Sequence, residues 1–241
     1  FIVPLFTKSV TNREMNAVHS VHQRNMYSDV WRGFDVLRHV INLQHPLSKF
    51  LSGNLTTLRD RPLAAGVNIH ELFLHFYKLY FSANRFKLVL LGCESLDELT
   101  NCAINLFSPI PNYNIPQPVY DSNFLQKPGA FVELYPVRQA RELTITWWLP
   151  STQPYILTSP LGLMSHCIGD EGPGSLLSLL KANKFATELV SGCFKSLSFA
   201  SQFKVSITLT ATGIANIPTI LRLVHAYIAM ICHSSDKELY R

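Results

Sequence analysis

The stretch 109–118 reads PIPNYNIPQP, with prolines at positions 109, 111, 116 and 118. Proline lacks a backbone N–H and has a fixed φ, so helix interiors and central strands reject it. No regular element is expected to run through this segment. It divides the 241-residue chain into two pieces, each the size of a small domain. The predicted division is residues 1–112, a linker over 113–123 and residues 124–241.

Both pieces mix helical and strand signals. In the first, a helix is expected over 12–38, with Asn12 as its cap and Glu14 near the positive end of its dipole. A loop follows over 44–54. The 70–82 segment reads as an amphipathic helix with Leu72, Phe73, Phe76 and Tyr80 inward. The run FKLVLL, 86–91, reads as a buried strand ended by Gly92. Ser95 and Glu98 form a capping box for a helix to Phe107.

In the second piece, strands are expected over 131–137 and 143–149. Helices are expected over 161–168, 175–184 and 214–232, and a strand over 203–210. Trp147 and Trp148 fall on opposite faces of their strand. The fold class is α+β: two similar domains, each an antiparallel or mixed sheet with helices on one face.

Composition narrows the partners. Hydrophobic residues make up 47% and charged residues only 15%, so much of the surface suits partner subunits or further domains. The net charge is +5 without a basic run, which argues against nucleic acid. No apolar run is long enough for a membrane span. Five scattered cysteines without a CxxC suit reduced thiols in the cytoplasm, with mitochondria as the alternative. The chain begins with Phe1 rather than Met and reads as a piece of something longer.

One stretch imitates a catalytic motif. HELFLH, 70–75, suggests the zinc signature H-E-x-x-H, but its histidines are five apart instead of four. On a helix the fifth residue is rotated by roughly 140°. One ion cannot take both His70 and His75 from a regular helix.

Several stretches in order carry a family resemblance. They are NREMNAV (12–18), HPLSKF (45–50) with Gly53, Asn54, Thr57 and Leu58, the run 80–84, LTITWWLP (143–150) and GDEGPGSLL (169–177). Together they resemble the inverted-motif zinc peptidases of the insulysin, pitrilysin and nardilysin type, the insulinase family. LTITWWLP and VSITLT look nearest to nardilysin-like members. The resemblance implies the second half of one family domain, incomplete at its N-terminus, and the first half or more of a second, non-catalytic one.

The family chemistry uses H-x-x-E-H for two zinc ligands and a base, with a downstream glutamate as third ligand. No H-x-x-E-H occurs in the 241 residues. In the family it lies upstream of the region where this chain begins. The third-ligand segment is present and reads R-E-M-N-A-V-H-S-V, 13–21. By resemblance Glu14 supports the site, and position 21 should supply the ligand. Val21 has no lone pair to offer. His19 and His22, three apart on a helix, are the substitute metal candidates. Zinc is therefore a family cofactor that is not expected on this chain.

By resemblance, Glu188–Gly192 is an edge strand that in active relatives pairs with a trapped peptide. The peptide-binding candidates are Gly169, Leu189, Val190, Ser191 and Gly192. Gly162, Ser165 and Ser191 stand where insulysin-like members carry other residues. The expected function is a non-catalytic insulinase-family homologue that binds peptides or assembles with the missing peptidase domains or a subunit. The alternative is part of an active zinc metalloendopeptidase whose H-x-x-E-H lies upstream. GDEGPGS lacks the preceding strand and the lysine of a phosphate cradle and reads as a structural turn.

Overall fold

A computed structural model describes residues 2–137 and 140–233. The last eight residues of the expected second piece, 234–241, lie outside the described residues. Two compact units emerge. The first runs to Val119 and takes in Leu125–Ala130; the second holds Tyr120–Phe124 and the described residues from Phe131 on.

The first unit is built from helices α1 (Lys8–Asn25), α2 (Asp29–Arg38), α3 (Arg61–Ala64), α4 (Ile69–Tyr80) and α5 (Leu96–Phe107). The helix expected over 12–38 is in fact two. α1 begins a turn earlier, at Lys8, so Asn12 is interior and not a cap. At the break, Tyr27 N–H reaches back only three residues to Arg24, and Ser28 is extended. The tightened turn ends one ladder, and Asp29 opens the next at the positive end of α2.

Asn68 caps α4 by accepting the N–H groups of His70 and Glu71. Its inward face keeps Phe73 of the expected set and loses the other three. Leu72, Phe76 and Tyr80 are exposed, while Phe73 stacks on Phe6 at 5.5 Å and Tyr77 donates to the carbonyl of Ile2. The N-terminal segment thus selects the face that α4 buries. The Ser95–Glu98 capping box of α5 is present with both reciprocal bonds.

FKLVLL, 86–91, belongs to no strand, and Val89 and Leu91 are almost wholly exposed. The segment 131–137 likewise forms no strand. Propensity makes a segment extended, but only a neighbouring ladder makes it a strand. Among the described residues neither segment has such a neighbour. The first unit shows an isolated antiparallel bridge, Ile41 to Leu125, in place of a sheet. Its buried apolar side chains among the described residues are Met15 and Ile41.

The second unit has the sheet. It contains β1 (Glu142–Leu149), α6 (Pro160–Gly169), α7 (Leu176–Ala182), β2 (Ala186–Ser196), β3 (Ser201–Leu209), α8 (Ala211–Ala215) and α9 (Ile217–His233). The strand order is β1-β3-β2, antiparallel throughout. The final helix, expected to be continuous from 214, breaks at Asn216 into α8 and α9.

Register follows the period of two. Leu143, Ile145 and Trp147 oppose Ile207, Val205 and Phe203 on one face. That face meets Ile168, Leu176, Leu177, Leu180, Ile220 and Val224, all at 0–1% exposure. Trp148 takes the other face, as expected, where Phe124 meets it edge-on at 4.9 Å. The α+β class holds, with helices against one face of an antiparallel sheet.

The close approach of α8 to the chain before β2 depends on a bare Cα. A side chain at Gly213 would run into the carbonyl oxygen of Phe185. Thr210 caps α8 by accepting the Gly213 N–H at 3.0 Å and donates to the carbonyl of Lys184 at 2.6 Å.

Candidate functional site

Helix α1 carries the segment 13–21. Val21 stands on it at 44% exposure, a hydrocarbon facing solvent. Glu14 is exposed and lies 3.5 Å from Arg13. His22 turns toward the 50–52 loop: its Nδ1 is 3.4 Å from Ser52 Oγ, and its ring meets Phe50 edge-on at 5.3 Å. His19 Nε2 is 3.4 Å from the Gln23 side-chain nitrogen, and its buried Nδ1 has no partner among the described residues.

Among the described residues, no three His, Cys, Asp or Glu side chains group closely enough to hold a metal ion. The residues present do not fit zinc. A tetrahedral ion needs three or four donors, and α1 brings valine to the position in question. His70 Nδ1 lies 3.0 Å from the carbonyl of Phe6, and His75 is exposed farther along α4, so HELFLH forms no metal pair.

The second candidate does come together. β2 is an outer strand of the sheet, with one edge left free by β3. α6 packs along it. Between them opens a cleft of ≈ 350 Å³. Leu189, Val190 and Ser191 line its strand side; Ser165, His166, Gly169, Asp170 and Glu171 line its helix side.

Four of the five peptide-binding candidates are thus in one cleft. Gly192 stands behind it, where a Cβ would lie 3.6 Å from Ser165 Oγ. Leu189 is buried on the core face opposite Ile207, whereas Val190 points outward at 69% exposure.

GDEGPGS does more than turn the chain. Gly174, at φ +85°, makes the left-handed bend that lets Ser175 cap α7 by accepting the Ser178 N–H. The same loop brings Asp170 and Glu171 to the cleft mouth. Sequence reasoning took this loop as structural and missed the acidic pair; the available signal was its adjacency to Gly169. Beneath, the Tyr227 hydroxyl donates to the Cys167 carbonyl at 3.3 Å. Burial pushes that phenol above its ordinary pKa, and Asp170 and Cys167 add to the effect.

The profile of the family described as the Peptidase M16 inactive domain matches residues 68–241. The chain belongs to the M16 peptidase family.

This M16 chain is 36% identical over 240 residues to the insulin-degrading enzyme of Homo sapiens and 35% identical to that of Drosophila melanogaster. It is 34% identical to the A-factor-processing enzyme of Saccharomyces cerevisiae. Each match covers 99% of this chain and 23–24% of the relative. The chain therefore spans about a quarter of the length of these curated relatives. In fold, 98% of it superposes on 25% of pitrilysin, with a TM-score of 0.82 at 24% identity. A TM-score of 0.62 relates it to 55% of the M16 inactive domain from Pseudomonas fluorescens, at 14% identity. Among the described residues, no helix is long and apolar enough to cross a membrane.

Proposed function

We propose that this chain is a non-catalytic portion of an M16 protein that holds an extended peptide on the free edge of β2. The observation that carries the reading is the cleft itself. A strand edge, Leu189 to Ser191, faces a helix end and two carboxylates across an open groove. An extended peptide entering there gains backbone hydrogen bonds from the edge, the mode of strand addition. Asp170 and Glu171 favour a peptide with a positive charge at its entering end. The exposed apolar residues of the first unit, Val89 and Leu91 among them, support assembly with further peptidase domains or a subunit. The cytoplasm, or mitochondria, is the compartment that suits five free thiols.

A labelled cationic peptide titrated against the chain is expected to bind saturably. Absence of saturation up to millimolar peptide sinks the reading. Hydrolysis of a fluorogenic peptide, abolished by a chelator, would sink its non-catalytic part.

A second reading has its own support. The relatives include insulin-degrading enzymes, of which this chain spans about a quarter. On that reading the chain is the non-catalytic part of an active zinc metalloendopeptidase whose H-x-x-E-H lies outside it. The upstream reading frame decides between the two. The same reading frame tests nearness to nardilysin-like members, which rests on LTITWWLP and VSITLT alone.

A further inference from the structure

The cleft contains a reciprocal pair that the peptide-binding reading does not use. Ser165 Oγ of α6 donates to the carbonyl of Ser191 at 2.7 Å. Ser191 Oγ of β2 donates back to the carbonyl of Ser165 at 2.9 Å. Two serines from different elements thus each satisfy the other's backbone.

Register explains why Ser191 needs a partner. It opposes Val205, which is fully buried, so its side chain lies on the helix-covered face of the sheet with Leu189. A hydroxyl on that face costs free energy unless it is hydrogen-bonded. The carbonyl of Ser165 supplies the bond. The fit is close: a Cβ at Gly169 would sit 3.1 Å from Ser191 Oγ. The two hydroxyls occupy the space where α6 approaches β2.

The other half of the pair limits the edge. An added strand bonds to alternate residues of the edge it joins, through the groups that face away from the existing ladder. The Leu209 N–H bonds the Arg141 carbonyl, so by alternation Val205 turns its backbone groups to β1 and its partner Ser191 turns its own away from β3. The Ser191 carbonyl is one of those outward groups, and it already has a donor. The next residue turned the same way is two positions back, Leu189. Beyond Ser191, β2 loses regular register between Cys193 and Lys195.

We propose that the Ser165–Ser191 pair is a stop: it ends the ladder an incoming peptide can build and makes the cleft selective for short extended segments paired along Glu188–Val190. The proposal rests on the peptide-binding reading of the same cleft.

The test uses the 241-residue chain and two probes, Lys-Val-Thr-Val and its tandem double, each with a C-terminal fluorophore. In the wild-type chain the double binds no more tightly than the single peptide. Ser165→Ala frees the Ser191 carbonyl, and alanine is a better helix former than serine, so α6 is retained. In that variant the double gains about 2- to 10-fold in affinity, the net worth of one hydrogen bond. Ser191→Ala removes only the bond to the Ser165 carbonyl and keeps the Ser165 hydroxyl on the Ser191 carbonyl, so it is the control: no gain for the double is expected there.

Equal affinity of the double for wild type and Ser165→Ala overturns the stop and leaves the peptide site standing. Weaker binding to Ser165→Ala also overturns it, because the pair would then be shaping the site. No saturable binding of either probe by any form overturns the site and the stop together. Binding of the double by Ser165→Ala but not by the wild type or Ser191→Ala supports the stop in its strictest form.

Discussion

His22 directs its Nδ1 at Ser52 Oγ, 3.4 Å away across thirty residues of sequence. Its ring is held edge-on against Phe50, over which Arg38 also lies at 5.2 Å. The imidazole is therefore a packing group of the 50–52 loop. Val21, the neighbouring residue, points into solvent.

From this follows an expectation for metal. Zinc titrated into the intact chain should show no tight site, and His22→Ala should leave the isotherm unchanged. Tight binding that His22→Ala abolishes would contradict this account of α1. Val21→Glu alone should not create tight binding either, because one restored carboxylate cannot supply a tetrahedral set.

At Gly213, substitution by alanine places a methyl against the carbonyl of Phe185, which also accepts the Thr210 N–H at 3.0 Å. Neither backbone can retreat without breaking that bond. Gly213→Ala should cost about 1–3 kcal/mol, the range for overpacking. Urea unfolding of the two proteins measures it; an unchanged midpoint would show that the turn yields.

The sheet offers an internal control. Ile207 is fully buried at the centre of β3, whereas Val190 on the adjacent strand is 69% exposed. Ile207→Ala should lose about 2–5 kcal/mol and Ile207→Val about 0.5–1.5 kcal/mol. Val190→Ala should stay within about 0.5 kcal/mol. Similar losses at both positions would disprove the assigned register.

The α5 capping box carries a pH signature. The Ser95 hydroxyl donates to Glu98 at 2.7 Å and its backbone N–H at 2.9 Å, and these bonds hold the carboxyl below its usual 4.5. A depressed acid pKa stabilises the folded state above the unfolded value. That contribution fades as pH falls through the folded one. Carbon-detected NMR titration should place the Glu98 midpoint below 4.5 in the wild type and nearer the ordinary value in Ser95→Ala. Identical midpoints would remove the box from the energetics.

Much of the local grammar was legible. Ser95 with Glu98 announced a cap, and the alternation of LTITWWL announced β1 with Trp147 and Trp148 on opposite faces. These are short-range facts, set by side-chain chemistry and by periods of two and 3.6 residues. FKLVLL and the segment 131–137 were misread for a reason of the same kind. Their propensity is real, but strand formation is a property of pairs.

The sequence by itself determined the cap of α5 and which side of β1 and β3 is apolar. Tertiary structure alone decided which face α4 buries, that Asp170 and Glu171 stand at the mouth of the β2 cleft, and that Ser165 and Ser191 hold each other. Those outcomes depend on approach between segments far apart in the chain. Spacing along a sequence fixes the direction of a side chain on its own element, and it carries no information about what that element meets.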